Sequence, residues 1–157
     1  MKNPFNITVD WLGNLFVADY SNNRVIRFND PKSKGNGGSA DNLLGQPSFG
    51  LSGSGFGPNR FNYPCSVSVD NEGNRLFVAD CFNHRVLVFE GASTLTDGQE
   101  ASLVLGQPNP STGNQSNQGK PISDANTLNN PTCVLFDWIH NMVWIADPSN
   151  HRVLGFC

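Results

Sequence analysis

The chain repeats itself, and no other feature restricts its fold as strongly. The run Asn14-Leu15-Phe16-Val17-Ala18-Asp19-Tyr20-Ser21-Asn22-Asn23-Arg24-Val25-Ile26-Arg27-Phe28 returns between Asn74 and Phe89, and again between Asn141 and Phe156. Each copy holds Ala-Asp-x-x-Asn-x-Arg-Val, with aspartates at 19, 80 and 147, spaced by 61 and 67 residues. A second block repeats in step: Pro4 to Asp10, Pro64 to Asp70 and Pro131 to Asp137. A third, Leu44-Gly45-Gln46-Pro47, recurs as Leu105-Gly106-Gln107-Pro108. The approximate repeats are residues 1–61, 62–128 and 129–157 of a single segment.

Each repeat reads as short strands. Ile7-Thr8-Val9 and Val67-Ser68-Val69 alternate apolar and small polar residues, the period of a half-buried strand. The link from Asp10 to Asn14, or Asp70 to Asn74, turns the chain back into a second strand. In the third repeat His140 stands where the others have glycine, so a different turn is expected there. A four-residue turn after each repeated aspartate leads to a third strand, and Asn42-Leu43-Leu44 and Ser102 to Leu105 supply a fourth. The predicted class is all-β: propeller blades of four antiparallel strands, the last blade lacking its fourth strand. Composition agrees, since 21 Asn, 16 Gly and 10 Pro among 157 residues leave little room for long helices.

These residues resemble NHL repeats, and the resemblance covers the chain apart from long loops at about 30–40, 46–61 and 107–127. It implies a six-bladed propeller with a central channel. The repeats here are longer than the family's usual unit because of those loops. Three blades do not close a ring, since propellers need about four to eight. The expected partners are therefore the remaining blades of a longer chain or a second copy in a homodimer.

The repeated polar residues read as structural. Asp19, Asp80 and Asp147 sit at one end of each turn and Arg24, Arg85 and Arg152 at the other, where a charge-assisted pair is natural. Asn22, Asn83 and Asn150 tolerate the left-handed backbone of such a turn and can bond its neighbouring amides. Catalysis rarely needs three equivalent copies of one constellation, whereas a turn needs one in every blade. No catalytic, cofactor or metal residues are assigned, and no cofactor is expected. The histidines at 84 and 151 are equivalent and a blade apart, too far to share one zinc.

Four cysteines allow three pairings. With Asp70 opposite Arg75, a constant register puts Cys65 opposite Asp80 and beside Cys81, so a Cys65–Cys81 bridge is plausible; the alternative is four free thiols, with Cys65 and Cys133 as small buried hydrophobes. Of the sequons, Asn6-Ile7-Thr8 begins an inner strand, while Asn114-Gln115-Ser116 lies in a polar loop open to glycosylation. Trp11 and Trp138 occupy equivalent positions in the first-turn loops, with Asn71 between them in the series, and are candidate ligand-binding aromatics.

A net charge of −3 with scattered Lys and Arg argues against nucleic acid. Apolar runs of about five residues fall far short of the about 20 that span a membrane. These readings favour a non-enzymatic NHL-type scaffold for protein or glycan partners, placed outside the cell or secreted. One alternative is a metal-dependent lyase or hydrolase with its site in the channel of the whole ring, as in NHL-like peptidyl amidoglycolate lyases. Another is a self-assembling protein joined through open blade edges.

Overall fold

The structure, a computed structural model, describes residues 1–113 and 115–157. The sequon residue Asn114 lies outside them. The first sheet runs β1 (Pro4–Val9), β2 (Leu15–Asp19), β3 (Arg24–Phe28) and β4 (Asn42–Leu44) in that order. The second repeats it with β5 (Pro64–Asp70), β6 (Arg75–Asp80), β7 (Arg85–Glu90) and β8 (Leu103–Leu105). The third holds β9 (Cys133–Asp137), β10 (Met142–Asp147) and β11 (Arg152–Phe156). All pairs are antiparallel. Among the described residues no helix is long and apolar enough to cross a membrane.

The sheets stack front to back, and the period-two pattern explains how. Val67, Val78, Leu87 and Val104 form one cross-strand row of the second sheet. That row packs against Phe16, Ala18, Val25 and Leu44 of the first. The opposite face, with Phe77, Ala79, Val86 and Val88, meets Val134, Val143 and Ile145 of the third. Phe77 and Phe136 stack across this second junction, their ring centres 5.7 Å apart. The two outward faces of the array keep apolar side chains in solvent: Ile7 and Val9 on β1, and Leu135, Trp144 and Val153 at the far end.

The small polar residues of the inner strands have a definite task. An inner strand lies at the edge of its sheet, so some of its N–H groups lack a ladder partner. The preceding sheet supplies one. Asn6 Oδ1 accepts the Val67 N–H at 2.9 Å. Ser66 Oγ accepts from Val134 N–H at 3.2 Å and Ser68 Oγ from Phe136 N–H at 2.9 Å.

Three expectations need correction. The register is not constant: Pro64 pairs with Asp80 and Ser66 with Ala79, so Cys65 is an extra residue in a bulge, as Phe5 is in β1. The left-handed residues of the turns are Asn23, His84 and His151, not the asparagines one place earlier. Those asparagines lie inside single 3₁₀ turns, and the residue that closes each turn must reverse the chain. His140, finally, does not disturb its link. The second and third sheets both place the left-handed residue at the following asparagine, Asn74 (φ 51°) and Asn141 (φ 52°), whereas the first uses Gly13 (φ 82°). The first hairpin is one residue shorter between its asparagine and the aromatic of its second strand, and this makes it the odd one.

Candidate ligand face

Each repeated aspartate gathers one turn. Asp19, Asp80 and Asp147 take the Nε–H of Arg24, Arg85 and Arg152 at 2.7, 2.8 and 2.8 Å. The same carboxylates accept the side-chain amides of Asn22, Asn83 and Asn150 at 2.9, 2.8 and 2.8 Å. Their second oxygens accept the N–H of Lys2, Asn62 and Asn129, two residues ahead of each leading proline. The entering chain, the turn and the third strand are thus tied to one carboxylate.

The arginines do more than hold hairpins, and this part was missed in the sequence. Arg85 also donates to the carbonyls of Pro110, Thr112, Gly57 and Arg60 at 2.7–3.0 Å. Arg24 reaches Phe49 and Arg152 reaches Thr127. The glutamines of Leu-Gly-Gln-Pro work alongside them: Gln46 Nε2 bonds Asn23 and Gly53 carbonyls, and Gln107 Nε2 those of His84 and Gln115. The recurrence of that tetrapeptide beside each long loop was the available signal. These contacts anchor the loops of one end of the array.

Burial acts differently on Asp19 and Asp80. At Asp19 burial pushes the carboxyl up, but the Asn22 amide, the Lys2 N–H and the Arg24 guanidinium outweigh it and leave it below its ordinary value. At Asp80 full burial prevails over the pull of Arg85, and the carboxyl is raised.

Two histidines have structural partners. His84 Nδ1 accepts the Asn130 N–H at 3.0 Å, as Asn23 Oδ1 accepts that of Tyr63 at 2.8 Å. Burial lowers the His84 pKa, with Asp147 opposing. His140 lies 2.7 Å from Asp137 Oδ2, and their contact holds that carboxyl below its usual range. Among the described residues no three His, Cys, Asp or Glu side chains group as a metal site.

Cys65 and Cys81 lie together as a disulfide, their Cα atoms 6.3 Å apart, while Cys133 and Cys157 are free and exposed. Cys133 is therefore not a buried hydrophobe. It takes the repeat position of Ser66 rather than of Cys65, on the open outer face of the third sheet.

At the other end of the strands, Trp11 and Trp138 line one depression of about 340 Å³. They are 74% and 75% exposed, among the most exposed large side chains of the chain. Val69, Asp70, Asn71, Glu72 and Phe136 complete the lining. An adjoining hollow of about 300 Å³ shares Trp11, Val69 and Asn71 and extends toward Ser93. The backbone at Trp11 is held by its main-chain N–H, which donates to Asn71 Oδ1 at 2.7 Å. Leu12 and Ile139, the neighbours of the tryptophans, are exposed as well. Glu72 went unnoticed in the sequence, although Asn71-Glu72 is the second repeat's counterpart of Trp11-Leu12 and Trp138-Ile139.

Repeated antiparallel sheets stacked front to back, with loops gathered at the strand ends, define a propeller-type blade array. The chain matches the NHL repeat over residues 61–89. It is 30% identical over 95 residues to NHL repeat-containing protein 2 of Bos taurus, covering 57% of this chain and 12% of that protein. The Gallus gallus protein of the same name is 32% identical over 96 residues, covering 61% and 11%. The chain thus spans about an eighth of these relatives. Among solved structures it resembles Kuenenia stuttgartiensis hydrazine synthase, with TM-score 0.54, 14% identity, and coverage of 93% of this chain and 30% of that one. It also resembles virginiamycin B lyase from Staphylococcus aureus, with TM-score 0.52, 14% identity, and coverage of 98% and 40%. These two likenesses concern the fold.

Proposed function

We propose that this chain is a non-enzymatic interaction scaffold that binds a protein or glycan partner through the loop face carrying Trp11 and Trp138. One observation carries the reading: two tryptophans from the first and third repeats, each about three-quarters exposed, border a single depression on the second. Exposed indoles cost solubility and supply large, rigid contact area, which is how interaction surfaces use them. The repeated Asp, Asn and Arg are occupied in holding turns and loops, and the partners of His84 and His140 are structural. The long loops of the opposite end, held by Arg85 and Gln107, form a second, more polar hollow of about 330 Å³.

The test is a screen of peptide and oligosaccharide arrays with the wild-type chain and with the Trp11→Ala/Trp138→Ala double variant. Binders that lose at least tenfold in affinity with the double variant, while its circular dichroism and melting curve stay unchanged, support the reading. Binders indifferent to both tryptophans overturn it. Elemental analysis addresses the metal-dependent alternative: a stoichiometric zinc or calcium ion in the purified chain would displace the scaffold reading.

A further inference from the structure

Resting on that reading, we propose that the depression between Trp11 and Trp138 takes a cationic side chain, lysine or arginine, presented by an extended peptide with apolar flanks. The hydrogen-bonding groups of this face decide the ligand's chemistry. Asp10 is used up by its own turn, accepting the N–H groups of Leu12 and Asn14 and the Asn14 side-chain amide. Asp70 holds Arg75 through Nε and Nη2 at 2.8 and 2.6 Å and takes the Gly73 N–H with its other oxygen. Asn71 Oδ1 is taken by Trp11. Asp137 holds Ile139 N–H and the His140 ring. Among the described residues Glu72 alone of these carboxylates has no hydrogen-bond or ion-pair partner, and it lies in the lining.

A sugar, with hydroxyls around its ring, needs several directed donors and acceptors in the pocket. This one offers a single free carboxylate, one free amide NH₂ on Asn71, and otherwise indole, phenyl and Val69. Such a lining suits one positive charge set among apolar groups. A cation over an indole face gains about 0.5–2 kcal/mol from the ring quadrupole, and a carboxylate beside it adds direct attraction. Among the described residues no basic side chain lines the depression. Arg75 lies over the rings of Phe77 and Phe136 at 5.6 and 5.7 Å, and Asp70 neutralises it. The exposed Leu12 and Ile139 extend the apolar surface on either side for the flanking residues of a peptide.

The probe is acetyl-Leu-Lys-Leu-Lys-Leu-amide, titrated against the intact chain, with the same peptide carrying Gln or Glu in place of Lys as controls. Binding is followed by the indole N–H signals of Trp11 and Trp138 in NMR, with Trp144 as internal reference. The expected result is saturable shifts at Trp11 and Trp138 with the Lys peptide, and affinity at least fivefold weaker for the Gln and Glu peptides. Raising NaCl from 50 to 300 mM should weaken binding. Glu72→Gln should erase the preference for Lys over Gln, whereas Trp11→Ala should weaken both peptides. Equal binding of the three peptides, or an unchanged preference in Glu72→Gln, overturns the cationic assignment. If oligosaccharides instead shift the two indoles, the face is a binding site and only the ligand class is wrong. If no probe moves them, the scaffold reading of this face falls as well.

Discussion

Asp80 and Arg85 are cross-strand partners at the ends of β6 and β7, joined Oδ2 to Nε at 2.8 Å with neither side chain exposed. Their counterparts at 19/24 and 147/152 have the same geometry, with arginines 11% and 21% exposed. The middle repeat differs because loops from both sides close over it.

Arg85→Ala would strand a buried carboxylate and free four loop carbonyls. The expected loss in denaturant unfolding is about 3–5 kcal/mol, the range for breaking a buried pair. Arg152→Ala, at a partly exposed site, should cost clearly less. Arg85→Lys should not restore stability, because an ammonium does not reproduce the guanidinium fork. Equal losses at 85 and 152 would mean that burial of the pair is not what matters.

His84 gives the junction of the second and third sheets a pH dependence. Its ring accepts the Asn130 N–H, so the neutral form is the one the fold uses. Burial sets the folded pKa below the unfolded value of about 6.5. The unfolded chain therefore binds a proton more readily, and the contribution is fully present above that value and lost as pH falls from it through the lower folded pKa. Melting temperatures measured from pH 8 to pH 5 should fall more steeply for the wild type than for His84→Asn, which borrows the residue that does this job at position 23. Parallel curves would count against the assignment.

Thiol alkylation without reductant, read by intact mass, should modify two cysteines, Cys133 and Cys157, and leave Cys65 and Cys81 untouched. Reduction should then lower stability by about 3 kcal/mol, the chain-entropy value for a loop of about 15 residues. Four alkylated cysteines in the unreduced folded chain would remove the bridge.

The outward faces should attract each other or further blades. Ile7 is 61% exposed and Val153 65% exposed, on faces equivalent to those buried at the two inner junctions. Light scattering should give a mass above the 17.1 kDa of one chain, rising with concentration. The variants Ile7→Lys and Val153→Lys should lower it. A single-chain mass at every concentration would show that these faces do not associate.

Much of the architecture was readable because blades repeat and strands alternate. Ile7-Thr8-Val9 and Val67-Ser68-Val69 announced both their period and their two faces, and Asp19, Asp80 and Asp147 announced the turns. The bulge at Cys65 was not readable: it adds a residue without changing the alternation of types, and only the pairing of Pro64 with Asp80 exposes it. The left-handed residue was misplaced by one because asparagine occupies both 22 and 23 in the first repeat. At the proposed ligand face the tryptophans stood out as bulky residues in a turn. Glu72 did not, since one glutamate in a hairpin looks like any solvated charge until its neighbours' partners are known.

The serines that cap the next inner strand give the array a grammar with a direction. Ser66 and Ser68 complete hydrogen bonds that belong to β9, and Asn6 completes one that belongs to β5. A blade is therefore not a free-standing syllable. Its spelling at two positions is dictated by the blade that follows, so shuffling blades between propellers would succeed only when donor and recipient agree there. Sequence drift at those serines should be legible as a change in the neighbour rather than in the blade that carries them.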